Sequence, residues 1–209
     1  MLIEEQIRSL ASRLGRAPIE VVREPTDLRL PPGKWRPFWS AFSHVIRNAV
    51  DHGVETADER KAGGKTPHAT VELAVRREGD SVVVTIREDG RGIAWDKIAA
   101  RARAHGLPHA TAADLEKALF ADGVSSRGEV TSTSGRGVGL RVVGEVIADL
   151  GGHVEIRSDT GRGTTFRFVL PQSMLSDDPL TSAAAPTLPL PTLPSRQQAI
   201  SGPQKLGRL

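Results

Sequence analysis

Apolar residues recur along this chain at two spacings, one typical of helices and the other typical of strands. Near the N-terminus, four apolar residues follow one another every three or four positions until a glycine ends the pattern, which predicts an amphipathic helix. These five residues are Ile3, Ile7, Leu10, Leu14 and Gly15. The same spacing predicts four more helices, at about residues 37–52, 95–105, 112–120 and 138–150.

Alternating apolar and polar residues predict the strands. Residues 18–23 alternate weakly and indicate an edge strand. Two hairpins follow, in which residues 71–75 pair with 82–86 and residues 154–156 pair with 165–169, each across a turn that contains glycine. Prolines, glycines and polar residues mark the main connections. These lie at residues 25–37, 54–68 and 121–136, and we expect the second to hold at most one turn of helix.

The composition of the chain changes after Pro171. The 209 residues suffice for one domain of ordinary size and a C-terminal tail. Proline, threonine, serine, leucine and alanine dominate the tail, so it cannot bury enough apolar surface to fold. We therefore predict a folded domain at residues 1–171 and a disordered, proline-rich tail of polyproline II character at residues 172–209.

Charge and cysteine content narrow the possible functions. The net charge is +3 and the basic residues are spread out, which does not indicate a nucleic-acid-binding arm. The absence of cysteine excludes disulfides, thiolate nucleophiles and cysteine-based metal sites. No apolar run approaches membrane-spanning length, and the acidic start of the chain lacks the features of a signal peptide. We therefore expect a cytoplasmic protein without membrane contact.

The helix predicted at residues 37–52 carries an unusual polar face. At about 100° per residue, its apolar positions share one side and four polar residues fall on the other. These four are His44, Asn48, Asp51 and His52. A surface helix would have lysine and glutamate there, whereas this set is typical of a ligand site. An asparagine oxygen can bind a metal, and a histidine can move protons or bind an anion.

Two glycine-containing segments add further candidate chemistry. In the turn at residues 88–92, Asp89 can accept a hydrogen bond from an exocyclic amine such as that of adenine. Gly90 and Gly92 let the backbone approach a flat base without a Cβ clash. At residues 135–139 a glycine-rich loop precedes a helix, and its amides and the helix N-terminus are suited to phosphates. If Asn48 binds the Mg²⁺ that bridges phosphate oxygens, the three segments together form an ATP site.

Each of these features alone also has an ordinary structural explanation. His44 alone is more often a structural histidine than a base. The turn at residues 88–92 is a common one, and the loop at residues 135–139 fits any flexible loop. A dinucleotide fingerprint is disfavoured because this loop follows a long polar segment and not a strand. The order and context of all three features favour the nucleotide site.

Several motifs carry a resemblance to a known family. They are residues 44–55 (HVIRNAVDHGVE) with Glu59-Arg60 and Gly64-Lys65 downstream, residues 88–93 (EDGRGI), 118–120 (ALF), 134–139 (SGRGVG) and 161–166 (GRGTTF). In them the chain resembles the Bergerat-fold (GHKL) ATPases, the group of gyrase, heat-shock chaperones, histidine kinases and MutL. Within that group it is similar to the ATP-binding domain of chemotaxis-type, CheA-class histidine kinases over about residues 7–171. Ordinary sensor kinases and anti-sigma kinases have glutamate where His44 stands.

The resemblance implies a fold and a set of site residues. The fold is an α/β two-layer sandwich, a mixed β-sheet covered on one face by three main helices, with ATP between the helices and a lid. Asn48 would bind Mg²⁺, Asp89 would bind the adenine amine, and His44 would be the general base or orient water. The base end would be lined by Gly90, Gly92 and Thr164. The phosphates would be reached by His52, Lys97 and Arg101. The lid at residues 121–134 would be held by Gly135, Gly137 and Gly139.

The resemblance also implies an activity and partners. We expect a two-component protein histidine kinase module that uses ATP and Mg²⁺. It would be a monomer that transfers the γ-phosphoryl in trans to a separate phosphotransfer protein or domain, with a response regulator downstream. None of the six histidines has the setting of a phospho-acceptor. Two alternatives stay open: a serine/threonine kinase of the anti-sigma type, and a non-catalytic ATP-gated binding module. The family usually has phenylalanine at Val124 and Met-Asp at Leu140-Arg141, and this second departure favours the binding module.

Overall fold

The computed structural model describes residues 3–124 and 140–176. Five strands form one mixed sheet in the order β1-β2-β3-β5-β4. Its strands are β1 (Ile19–Arg23), β2 (Ala69–Glu78), β3 (Ser81–Glu88), β4 (His153–Asp159) and β5 (Gly163–Pro171). β1 runs parallel to β2, and the other neighbouring pairs are antiparallel. Both expected hairpins are present, and β5 lies beside β3 to join them into one sheet.

Helices cover one face of this sheet. The α-helices are α1 (Ile3–Arg13), α2 (Pro32–Asn48), α3 (Ala57–Ala62), α4 (Trp95–Ala104), α5 (Ala112–Leu119) and α6 (Leu140–Asp149). A π-helical turn, Ala49–Gly53, continues α2, and a 3₁₀ helix, Gln172–Leu175, follows β5. None of the helices in residues 3–124 and 140–176 has the length and hydropathy needed to span a membrane. The observed arrangement is the α/β fold expected from the sequence.

The core lies between the sheet and helices α1, α2 and α6. Alternate residues of β3, Val82, Val84 and Ile86, face this core, as the period of two requires. Aromatic rings from α2 and β5 pack together there, and the ring centroids of Phe38 and Phe168 are 5.7 Å apart. The opposite face of the sheet carries ion pairs. These are Arg76–Glu24, Arg87–Glu72 and Arg167–Glu78.

Helix α2 begins and ends differently from the expectation of residues 37–52. It begins at Pro32, a position where the missing N–H of proline costs nothing, and it continues through Pro37. After Asn48 the backbone changes to a π-helical turn, in which the Val54 N–H donates to the Ala49 carbonyl at 3.0 Å. The extra residue in this turn alters the 100° phase from which the polar face was predicted.

The fold continues past the boundary expected at residue 171. In the 3₁₀ helix that follows β5, Met174 is buried and its carbonyl accepts a hydrogen bond from Trp35 Nε1 at 2.9 Å. Lys34 Nζ donates to the Ser173 carbonyl at 3.1 Å. These contacts attach the segment to the start of α2. The remainder of the expected tail, residues 177–209, lies outside the described residues.

Candidate nucleotide site

A cavity of about 290 Å³ opens among the end of α2, the turn that follows β3, helix α4 and the start of β5. Its wall contains six of the residues expected at the site. They are Asn48, His52, Gly92, Lys97, Arg101 and Thr164. Four polar or charged residues of the described part of the chain are buried. They are Glu55, Arg60, Glu88 and Thr164, and all four lie in the wall of this cavity or directly beneath it.

The junction of α2 and the π-helical turn supplies two side chains to the cavity. Asn48 is the last residue of α2, and His52 lies within the turn. Asp51, which the regular helix placed on the same face, instead pairs with Arg16, whose Nη2 lies 3.0 Å from Asp51 Oδ1. His44 is half-buried and lies one turn before Asn48. It is not among the described residues that line the cavity. Two residues of the expected face, Asn48 and His52, therefore share the cavity wall, whereas His44 does not. Asp51 faces Arg16, and its Oδ2 also lies 3.9 Å from His52 Nε2.

Helix α4 contributes two positively charged side chains to the wall of the cavity. Lys97 and Arg101 are four residues apart and both line the cavity, as their helical spacing predicts. Arg101 Nη1 donates to the Val124 carbonyl at 2.9 Å, so the guanidinium is held against the segment that follows α5. Val124 itself is fully buried.

The opposite end of the cavity contains a buried carboxylate, Glu88, that the sequence analysis did not single out. Glu88 is 2% exposed and accepts hydrogen bonds from the Gly90 N–H and the Thr164 hydroxyl. Burial raises the pKa of this carboxyl above its ordinary value, and the two hydrogen bonds oppose that shift. Two signals in the sequence point to Glu88. It is in phase with the core residues of β3, and it holds the acidic position of an Asp-x-Gly-x-Gly pattern ending at Gly92.

Asp89, the carboxylate expected to bind the base, points away from the cavity. Its carboxylate receives a forked pair from Arg60, with Nη1–Oδ1 at 3.1 Å and Nη2–Oδ2 at 2.8 Å. The Thr70 N–H donates to the same carboxylate at 2.9 Å. Among the described residues, the cavity wall includes Glu88 but not Asp89. The physical reason is the alternation of β3, which directs consecutive side chains to opposite faces.

The two glycines of the turn lie in close contact with other backbone segments of the protein. A Cβ at Gly90 would overlap the Gly53 carbonyl, and a Cβ at Gly92 would overlap the Asp159 carbonyl. Gly92 also has a φ of +73°, a backbone conformation that favours glycine. Among the described residues, Gly92 lines the cavity and Gly90 does not. Both glycines were expected to admit a base. In the structure both admit neighbouring backbone, and Gly92 also lines the cavity.

The glycine-rich loop and most of the expected lid cannot be compared with the structure. Gly135, Gly137 and Gly139 and residues 125–134 lie outside the described residues. Leu140, the next residue, lines the cavity. Arg141 beside it pairs with Asp122, Nε–Oδ1 2.8 Å, and with Glu145, Nη1–Oε1 2.7 Å.

Comparisons with known proteins agree with this architecture. Residues 38–174 match the family described as histidine kinase-, DNA gyrase B- and HSP90-like ATPases. The chain is 34% identical over 171 residues to the chemotaxis protein CheA of Klebsiella aerogenes. This alignment covers 80% of this chain and 26% of that protein. It is 33% identical over 174 residues to the gliding motility regulatory protein of Myxococcus xanthus, covering 80% of this chain and 22% of that protein.

A solved structure shows the same fold. The blue-light activated histidine kinase EL346 of Erythrobacter litoralis aligns with a TM-score of 0.50 and 19% identity, over 82% of this chain and 41% of that chain. Fold, cavity and family match together define an α/β domain of the ATPase class. The chain belongs to the family of histidine kinase-, DNA gyrase B- and HSP90-like ATPases. Within it, this chain is CheA-like, and it spans about a quarter of the length of the curated relatives it matches.

Proposed function

We propose that this chain is the ATP-binding catalytic module of a two-component histidine kinase, which transfers the γ-phosphoryl in trans to a histidine on a phosphotransfer protein or domain. One observation carries the proposal. A single cavity in a CheA-like ATPase domain combines a buried carboxylate at one end with two cations on α4 and with Asn48. This is the donor set that a magnesium nucleotide requires, since the base offers an amine and the phosphates carry negative charge.

At the base end, we assign to Glu88 the role expected of Asp89. The ionised carboxylate accepts a hydrogen bond from the exocyclic amine of adenine, and Thr164 lies beside it on β5. Gly92 completes this end of the cavity. The volume of about 290 Å³ lies at the low end of ligand cavities and suits the nucleoside part of ATP.

At the phosphate end, Lys97 and Arg101 supply positive charge, and His52 supplies a hydrogen-bond donor. The amide oxygen of Asn48 fits one position around Mg²⁺, an ion that takes oxygen ligands and keeps several waters. Within residues 3–124 and 140–176, no cluster of three or more histidine, aspartate or glutamate side chains could hold a metal alone. Oxygens of the nucleotide phosphates and water molecules would therefore be the other ligands of the ion. The ion would in turn neutralise part of the negative charge of the phosphates.

His44 remains the candidate that polarises the acceptor nitrogen. It is half-buried on α2, one turn before Asn48, and so it lies outside the cavity but close along the helix to a residue of the wall. An acceptor histidine that approaches the γ-phosphoryl from outside would pass this position. Proton transfer by a positioned histidine fits the general acid–base role.

The proposed module acts in the cytoplasm as a monomer, with a phosphotransfer protein or domain as acceptor and a response regulator downstream. We test it by incubating the protein with γ-labelled ATP and Mg²⁺ beside phosphotransfer proteins from the same cell, with Asn48→Ala as the matched control. We expect an acid-labile label on one acceptor and none with the variant. An acid-stable label would indicate a serine/threonine kinase, and ATP binding without transfer would indicate a binding module.

A further inference from the structure

Next to the turn at residues 88–92 lies a partly buried ion-pair network that the proposed chemistry does not use. At its centre is Arg60 of α3, whose side chain is 1% exposed. Besides its forked pair with Asp89, Arg60 Nη1 donates to Glu55 Oε2 at 3.1 Å, and Nε donates to the Thr66 carbonyl at 2.8 Å. A guanidinium that makes bonds in three directions fixes the orientation of each partner.

Lys65 extends this network to the backbone of the turn. Its Nζ lies 2.9 Å from the Asp89 carbonyl, 2.6 Å from the Gly90 carbonyl and 2.7 Å from Glu55 Oε1. Two cations, Arg60 and Lys65, therefore face two carboxylates, Glu55 and Asp89, so the charges of the network balance. The carbonyls that Lys65 holds follow directly after Glu88, the carboxylate of the cavity wall.

Stability alone is a weak explanation for such a network. The Arg60–Glu55 pair at its centre is buried, and a buried ion pair is often no more stabilising than well-packed apolar residues of similar volume, because both charges lose their hydration. What this network provides is geometry. It fixes the side chain of Asp89 and the carbonyls of Asp89 and Gly90, while the Arg91 N–H bonds the Gly53 carbonyl at 2.9 Å. Because residues 89–91 are held in this way, the positions of Glu88 and Gly92 on either side of them are restrained as well.

We propose that Arg60 and Lys65 are positioning residues for nucleobase recognition. By holding Asp89 and Gly90, they fix where the carboxylate of Glu88 meets the base. This inference rests on the proposed nucleotide site. Loss of either cation moves Glu88 relative to the base amine, so it weakens discrimination between bases more than it weakens phosphate binding. A residue that only stabilised the fold would weaken the binding of every nucleotide equally.

The experiment compares two lysines of the same segment. Lys65→Met removes the cation that holds the turn, and Lys61→Met is the matched control because Lys61 is an exposed residue of α3. Titration calorimetry with Mg²⁺ measures two ligands, ATP and the triphosphate of purine riboside, which lacks the 6-amino group. Circular dichroism and thermal unfolding show whether each variant is folded. Arg60→Lys, which keeps the charge but loses the fork, provides a second variant.

We expect the parent protein and Lys61→Met to prefer ATP about tenfold or more, the ratio that one charge-assisted hydrogen bond gives. In Lys65→Met and Arg60→Lys the preference should fall below about threefold, with the affinity for the purine analogue changed less than about twofold. Equal loss for both ligands, or an unchanged preference, would overturn the inference. Failure of the parent protein to bind ATP at all would instead overturn the proposed function.

Discussion

Glu88→Gln is the substitution that tests the assignment of the cavity most directly. It removes the charge of the buried carboxylate but keeps an oxygen that can accept hydrogen bonds from Gly90 and Thr164. A hydrogen bond to a charged group contributes about 1.5–3 kcal/mol. At 1.4 kcal/mol for each factor of ten, we expect ATP affinity to fall about 10- to 100-fold, towards the lower value because the amide oxygen still accepts.

The free energy of unfolding of this variant should not fall along with its ATP affinity. Because burial raises the pKa of Glu88, its ionised form is disfavoured in the folded protein relative to the unfolded chain. That cost is absent below the ordinary pKa of the group and fully present above the raised pKa, so removing the charge should not lower the free energy of unfolding at neutral pH. A loss of ATP affinity without a loss of unfolding free energy would therefore not be due to unfolding.

Calorimetry as a function of pH completes this test. ATP binding should weaken as the pH falls through the raised pKa of Glu88, and Glu88→Gln should lose this dependence. Glu72→Gln is the control, because that carboxylate lies on the open face of the sheet beside Arg87. An unchanged ATP affinity in Glu88→Gln would refute the reasoning and return Asp89 to consideration.

Three further substitutions test other parts of the molecule. His44→Gln should leave calorimetric ATP binding intact and sharply reduce transfer of label to the acceptor, and equal transfer rates would end that assignment. Gly53→Ala places a Cβ 2.9 Å from the Glu88 carboxyl carbon, so ATP affinity should fall at least about tenfold with the circular dichroism spectrum retained, and unchanged affinity would contradict this contact. Trp35→Phe leaves the carbonyl partner of its indole unpaired, so urea unfolding should show a loss of about 1–3 kcal/mol, larger than for the half-buried Trp39→Phe.

The expectations that succeeded rest on local periodicity. Lys97 and Arg101 share a helical face because they are four residues apart, and both line the cavity. The two hairpins follow from alternating residues around short glycine turns. These patterns depend on neighbours in the chain, so the sequence contains them completely.

The expectations that failed depend on departures from regular geometry. The polar face of α2 was derived from 100° per residue, and the π-helical turn breaks that phase after Asn48. Asp51 then lies within reach of Arg16, which is 35 residues earlier in the chain. Nothing in the local pattern announces this pair, because the contact exists only when α1 and α2 are packed together.

By itself, the sequence determined the order of the strands and of the longer helices and the family to which the chain belongs, but it left α3 inside an expected loop. The tertiary structure decided which of two adjacent carboxylates faces the cavity and what restrains the other. Asp89 is held by Arg60, 29 residues away, and only the tertiary structure brings α3 to the turn that follows β3. Periodicity is a property of consecutive residues, whereas such a contact depends on where distant segments come to lie.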